Sequence, residues 1–335
     1  MRSTFGVSFR QGIFQRLSCY GANRFTISPL SWNAVRMTFR DDSELGGGNI
    51  SAGGGGGLGR GMVIGGGGIG TIVIGLIIYF LTGSTGGVPQ QSQQGQGSGQ
   101  GISAGQEQVN RDLAACKTGA DANKNTTCRI KATTISLDKV WPTVLRGYQP
   151  PRGGTKIMPS DAQSINTACG VAGADTGPFY CPSDQVAVFQ LDFMDRVIKK
   201  MGGTNAPFSQ EYIVAHEFGH HVQTLLGDIN KSQQGRGAQG GSVRVELQAD
   251  CYAGVWAAHA DKGEDALLKP LTQEDISGAI TTAQAIGDDT IQRNAGRNVN
   301  PESFSHGTSA QRVKWFTQGY RTGAPAQCDT FSGTI

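Results

Sequence analysis

Apolar residues recur with a helical period through most of the sequence after residue 105. The pattern predicts seven helices: Gln106–Cys116, Thr133–Leu145, Phe193–Met201, Phe208–Leu226, Ser242–Lys262, Thr272–Ile286 and Ser309–Tyr320. Gly227 predicts the end of the fourth helix, Ser242 the N-cap of the fifth, and Thr272 with Asp275 a capping pattern for the sixth.

One segment has the character of a strand instead. Asp184–Asp192 is β-branched and aromatic and follows Pro182. Several helices packed on one small sheet predict a mostly helical α+β fold.

The first 61 residues are expected to form a disordered basic and Gly-rich tail. Residues 1–36 contain Arg and Ser but no acid, which is typical of a transit peptide. We favour another interpretation, in which Met37 opens the native chain and residues 1–36 come from a mis-assigned start codon.

A stretch of 21 residues without charge, from Gly61 to Leu81, predicts a transmembrane helix over residues 62–82. Its firmly apolar part is short, so a cleaved secretory segment is the alternative, although no Ala-x-Ala site follows. Arg60 precedes the stretch and the next basic residue is Arg111, which predicts a cytoplasmic N-terminus and an external C-terminal part. Residues 83–104, rich in Gln, Gly and Ser, predict a flexible linker to a domain over residues 105–335.

The formal net charge of +3 comes from the tail, because six Arg and no acid lie within residues 1–40, which leaves −3 for the rest. Nothing in the folded part therefore predicts nucleic-acid binding. Six of the seven Cys lie after residue 100, and this even set favours an oxidising compartment over six buried thiols.

The strongest chemical signal is the motif HEFGH at residues 216–220. On a helix, His216 and His220 share a face at a Cβ separation of roughly 6 Å, so both imidazoles can bind one metal ion. Glu217 lies about 100° round the helix and can act as general base on a metal-bound water. A zinc site with one ion per chain needs a third protein ligand and an open fourth position.

The third ligand predicted is Glu246, on the following helix. Gln223 and Leu226 stand where a metzincin has Gly and His, which excludes that class. Glu246 and Asp250 share one face of a helix rich in Ala and Val, where two unpartnered acids would be costly to bury. A metal for Glu246 removes this cost, and Asp250 can accept the second ring N–H of His216 or His220. The alternative is a solvated acidic edge near Arg244.

Two further residues are candidates for the oxyanion. His306 precedes the last helix in a loop and can donate a hydrogen bond to the tetrahedral oxyanion, or it has a structural or capping role. Arg312 is a weaker candidate for the same task. Asp184–Asp192 is a candidate edge strand for holding an extended peptide.

The motifs together resemble a known bacterial family. The segments are GPFYCP at 177–182, AHEFGHHVQ at 215–223, ELQADCYAGVW at 246–256 and SHGTSAQR at 305–312. In this order they resemble the putative neutral zinc metallopeptidase family, of gluzincin type.

The resemblance implies a zincin-like domain that cleaves peptides or proteins, anchored in the bacterial inner membrane with the domain outside. Two other functions remain open, a non-catalytic zinc-binding scaffold and a zinc hydrolase of a non-peptide amide.

The sequence also leads us to expect three disulfides. Local pairing of Cys116 with Cys128 and of Cys169 with Cys181 is the simplest of the 15 connectivities, and it leaves Cys251 for Cys328.

Overall fold

The computed structural model describes residues 37–54, 102–174 and 176–335. The α-helices of these ranges are α1 Ala104–Ala115, α2 Gly119–Ala122, α3 Thr126–Val144, α4 Ile198–Lys200, α5 Pro207–Leu226, α6 Gly241–His259, α7 Gln273–Ala285, α8 Asp288–Asn294 and α9 Ser309–Thr322. A π-helical turn, Phe193–Val197, leads into α4. The strands are β1 Ile50–Ala52, β2 Gly154–Met158, β3 Ser164–Thr167, β4 Gly170–Gly173, β5 Phe179–Cys181 and β6 Val186–Gln190. The expected α+β class is confirmed.

The main sheet has the strand order β1-β2-β6-β5. The first three strands run parallel, and β5 pairs antiparallel with β6. The strand expected within Asp184–Asp192 is therefore present as β6, but its expected place at an edge is wrong. Both of its sides are already hydrogen-bonded, so it cannot accept a substrate strand.

Residues 37–54, here called the strap, correct the expectation of a disordered tail for that part of the chain. Phe39 is fully buried in the main core, and β1 extends the sheet. Both backbone groups of Phe39 bond to the Asn123 side chain, at 3.0 and 2.9 Å. The strap is thus part of the domain. Residues 1–36, the predicted span at 62–82 and nearly all of the predicted linker lie outside the described residues.

The helices α5 and α6 form the centre of the main core. Every residue of α5 from Pro207 to Gln223 is buried, and the Phe208 ring stacks on Trp256 of α6 at a centroid distance of 5.9 Å. Gly227, in the left-handed conformation, ends α5 as predicted.

The predicted N-cap of α6 at Ser242 is wrong. The cap is Gly240, a position that requires Gly because a Cβ there would lie 2.7 Å from the carbonyl carbon of Arg236. Of the helices within the described residues, none has the length and apolar composition required for a membrane span.

All three expected disulfides are present: Cys116–Cys128, Cys169–Cys181 and Cys251–Cys328. The third joins α6 to the C-terminal segment. It closes a loop with a sequence separation of 77 residues, which restricts the unfolded chain.

Candidate metal centre

The site lies where α5 and α6 make backbone contact. A Cβ on Gly219 would lie 2.9 Å from both the Cα and the carbonyl oxygen of Ala249, so only Gly permits this approach. The predicted ligands of the two helices consequently face each other across the contact.

His216, His220 and Glu246 converge as the sequence predicts. The Nε2 atom of His216 lies 3.2 Å from Oε2 of Glu246, and Nε2 of His220 lies 3.4 Å from Oε1. One potential ligand atom from each residue falls within 4.8 Å of the others, and all three residues are buried. Two imidazoles and one carboxylate form a common donor set for zinc.

The second ring nitrogen of each histidine is occupied. His216 Nδ1 donates to Asp250 Oδ1 at 2.9 Å, and His220 Nδ1 donates to Gln223 Oε1 at 2.7 Å. The Gln223 amide is oriented by its own bonds to Val245 O and to Gln248 Oε1. Both Nε2 lone pairs are therefore left for a metal ion, and the residues present fit a zinc centre.

Asp250 is held by more groups than the sequence suggested. Arg312 donates to both of its carboxylate oxygens, each at 2.9 Å, and the Tyr212 hydroxyl donates to Oδ1 at 2.6 Å. Burial acts to raise the pKa of Asp250, but the charges and hydrogen bonds of Arg312 and His216 together outweigh it and hold the pKa below its usual value. Asp250 therefore remains a carboxylate able to accept from His216.

Glu217 lines one cavity together with His216 and Glu246. Its side chain is buried, and desolvation raises the pKa of the carboxyl to about 7. The rest of the cavity wall is largely apolar: Pro178, Phe193, Tyr212, Ile213, Ile286, His306 and Arg312.

His306 enters the same cavity and is fixed by a residue that sequence reasoning missed. Oδ1 of Asp288 lies 2.9 Å from His306 Nδ1. Oδ2 accepts the backbone N–H groups of Ser305, His306 and Gly307, at 2.7, 2.7 and 3.0 Å. Nε2 of His306 is buried and has no hydrogen-bond partner among the described residues.

A buried nitrogen without a partner beside Glu217 is suited to a group that arrives with a substrate. Since Nδ1 donates to Asp288, His306 presents a second N–H at Nε2 when the ring is an imidazolium. The carboxylate of Asp288 pairs with that positive charge, which lowers the pKa of Asp288 against the effect of its burial.

One sequence expectation changes in detail, and the roles of two other residues were not predicted. Arg312 does line the cavity, but its charge is directed at Asp250 rather than at an oxyanion. Asp288 and Gln223 had a weak sequence signal at most. Gln223 lies three residues after His220 on one helix face, whereas Asp288 meets His306 only through the packing of α8 beside α9.

Comparisons with known proteins identify the family to which the chain belongs. The model of the family described as "Putative neutral zinc metallopeptidase" matches residues 33–331. The protein printed as "Uncharacterized protein Rv2575" of Mycobacterium tuberculosis (strain H37Rv) is 49% identical over 227 residues, which cover 66% of this chain and 76% of the relative. "Uncharacterized protein YpfJ" of Escherichia coli (strain K12) is 45% identical over 175 residues, which cover 50% and 59% respectively. No solved structure matches. The chain belongs to the putative neutral zinc metallopeptidase family.

Proposed function

We propose that the chain is a zinc-dependent endopeptidase with a zincin-like domain, which holds one zinc ion through His216, His220 and Glu246. One observation carries the proposal: a buried acid, Glu217, lines the cavity of a three-residue ligand set. A structural zinc site is closed by four protein ligands and has no use for such an acid. Among the described residues, the group of possible ligands contains three members.

Zinc bound at these ligands would lower the pKa of a water bound to it toward 7 and polarise the substrate carbonyl. Glu217 accepts the proton of the attacking water on its carboxylate and returns it to the leaving amine. His306 donates from Nε2 to the carbonyl oxygen as negative charge develops there. Asp288 holds that imidazole in place.

The edge of β5 is the proposed binding strand. Pro178 lines the cavity and directly precedes Phe179, the first residue of β5. β6 occupies one side of β5, and no other described strand occupies the opposite side. An extended peptide hydrogen-bonded to this side of β5 would pass beside Glu217.

The proposal also retains attachment to the bacterial inner membrane through residues 62–82, with the domain outside the cytoplasm. The three disulfides support this compartment, because such bonds persist in oxidising surroundings.

The test pairs metal analysis with casein hydrolysis, using the full chain and the variants Glu217→Gln and Glu107→Gln. Glu107 is an exposed acid of α1 and serves as the matched control. We expect about one zinc per chain in all three proteins. Cleavage should occur with the wild type and Glu107→Gln only.

If all three proteins bind zinc and none of them cleaves casein, the result would contradict the peptidase. It would favour a non-catalytic zinc-binding scaffold or a zinc hydrolase that acts on a non-peptide amide. A folded wild type without zinc would contradict the metal site itself.

A further inference from the structure

Two buried side chains join β5 to the helix that carries two of the proposed metal ligands. The hydroxyl of Tyr180, in β5, lies 3.0 Å from Nδ1 of His221, in α5. The other ring nitrogen of His221, Nε2, lies 2.7 Å from the carbonyl oxygen of Gln149. Because a carbonyl oxygen only accepts, Nε2 carries the proton, and in the neutral ring Nδ1 accepts from the Tyr180 hydroxyl. Two of the segments that the sequence singles out, 177–182 and 215–223, therefore meet at this bond.

The His221 ring is fixed and has no free nitrogen for a metal ion. Its two nitrogens are both hydrogen-bonded, and the residue is fully buried. The rings of Tyr148 and Phe218 pack edge-on against it, with centroid distances of 5.7 and 6.5 Å. Although His221 directly follows the ligand His220 in the sequence, its contacts are with β5 and with the segment before β2, and not with the metal centre.

The bond lies in register with the cavity. On α5, Glu217 and His221 are four residues apart and share one face of the helix. On the strand side, Pro178 lines the cavity together with Glu217, and Tyr180, two residues further on, bonds to His221. The chain from Pro178 to Tyr180 thus runs alongside α5 in the direction of the helix. The contact of Tyr180 with His221 therefore sets where Pro178 lies relative to Glu217.

The two faces of β5 are held by different parts of the domain. Phe179 and Cys181 belong to a second apolar cluster, and Cys181 is bonded to Cys169 in the loop between β3 and β4. Tyr180 points the other way, into the main core against α5. The disulfide and the β6 ladder hold the strand in the sheet, whereas the Tyr180 hydroxyl connects it to the helix of the metal centre.

We propose that Tyr180 and His221 are a positioning pair, which holds β5 at the distance from Glu217 that a bound peptide requires. The inference rests on the proposed function, in which an extended peptide pairs with β5. Both residues act through the strand. A strand that is already fixed in its bound position loses little freedom when the peptide binds, so the pair strengthens substrate binding. It has no part in the chemical step.

The test compares Tyr180→Phe with Tyr148→Phe in the zinc-loaded full chain. Tyr148 is the matched control, because its ring packs on the same His221 ring while its hydroxyl donates to Asp138 of α3 at 2.8 Å. Each variant keeps an aromatic ring and loses one buried hydrogen bond. The substrate is a fluorescence-quenched peptide taken from a casein site that the wild type cleaves. Zinc content is measured for every protein.

We expect Tyr180→Phe to raise KM by about 2- to 10-fold, the range that corresponds to one net hydrogen bond. Its kcat and zinc content should match the wild type, since a loss that appears in KM alone is a loss of uniform binding. Tyr148→Phe should leave KM unchanged. A hydroxyl that only stabilised the fold would lower the amount of active protein, and hence kcat, without changing KM. An unchanged KM in Tyr180→Phe, or an equal rise in both variants, would overturn the positioning role.

A second experiment measures binding without cleavage. Glu217→Gln keeps the three ligands, and anisotropy of the labelled peptide gives its Kd. Adding Tyr180→Phe to this variant should raise Kd by the same factor as KM. In a His221→Phe background, which removes the acceptor, Tyr180→Phe should cause no further rise in Kd. Independent effects of the two substitutions would overturn the pairing.

The two proposals fail in different ways. A zinc-loaded wild type that cleaves no peptide would overturn the endopeptidase and, with it, the positioning pair. Cleavage by the wild type with a KM that does not depend on Tyr180 would overturn the positioning pair alone.

Discussion

Arg312 donates to both carboxylate oxygens of Asp250, each at 2.9 Å, and neither side chain is more than 2% exposed. Asp250 in turn accepts from His216, so the guanidinium of α9 is connected to the metal ligands of α5 through one carboxylate. The position of His216 is therefore set by three helices at once.

Replacing Asp250 by Asn should weaken zinc binding by about 10- to 100-fold, because the partner of His216 loses its charge. Titration of the protein against a zinc chelator measures this. The variant should also unfold at a lower temperature, since Arg312 would be left buried without a counter-charge. Asp265→Asn, at an exposed position, is the control. Wild-type zinc affinity in a folded Asp250→Asn protein would contradict the assigned role.

Asp288→Asn should lower kcat by about 10²-fold with little change in zinc content, because it disturbs the imidazole that donates to the developing oxyanion. The comparison with His306→Gln is informative, since the two residues act through one hydrogen bond. The double variant should lose little more than His306→Gln alone. Fully additive losses would indicate that Asp288 has only a structural role.

Glu211 should make stability depend on pH. Its burial on α5 raises the pKa of the carboxyl from 4.5 to about 7, so the folded state binds the proton more tightly than the unfolded chain does. This stabilisation is fully present below pH 4.5 and is lost as the pH rises through 7.

We expect Glu211→Gln to reduce the fall in melting temperature between pH 5 and pH 8, relative to the wild type and to the exposed control Glu107→Gln. Thermal unfolding followed by circular dichroism over this range gives the comparison. Parallel curves for all three proteins would contradict the assignment.

Gly219→Ala should disrupt the contact between α5 and α6, because its Cβ would lie 2.9 Å from the Ala249 backbone. Overpacking of this kind costs about 1–3 kcal/mol in unfolding free energy. The change should also move His216 and His220 away from Glu246 and weaken zinc binding. Gly46→Ala, which meets no atom within 4 Å, is the control. Chemical denaturation and chelator titration report the two effects separately.

The site was largely predictable because its signals are local. His216 and His220 are one helical turn apart, as are Glu246 and Asp250, so the sequence contains each half of the centre intact. The two halves are brought together by the close contact of α5 with α6 at Gly219. Such a contact leaves no periodic pattern in the sequence from which it could be predicted. Asp288 was missed for a related reason: its partner His306 lies 18 residues away, on a loop whose path depends on the packing of α8 and α9.

The strap shows where sequence reasoning fails. Its Gly-rich composition favours disorder, and its structure comes from partners that lie far along the chain. Asn123, which bonds to Phe39, is 84 residues away. β2, which pairs with β1, was not predicted as a strand. The strand order of the sheet and the central position of β6 could therefore not be inferred either.

The same separation has a consequence for the order of events during synthesis. The strap leaves the ribosome before the rest of the domain, yet Thr38 bonds to Glu211 and to Lys269, which are translated much later. Contacts between segments so distant form slowly, because the entropy cost of closing the loop between them comes before any contact stabilises the closed loop. The earliest part of the domain to be made is thus among the last to be placed. A nascent chain stalled before Lys269 should still leave the strap open to added protease.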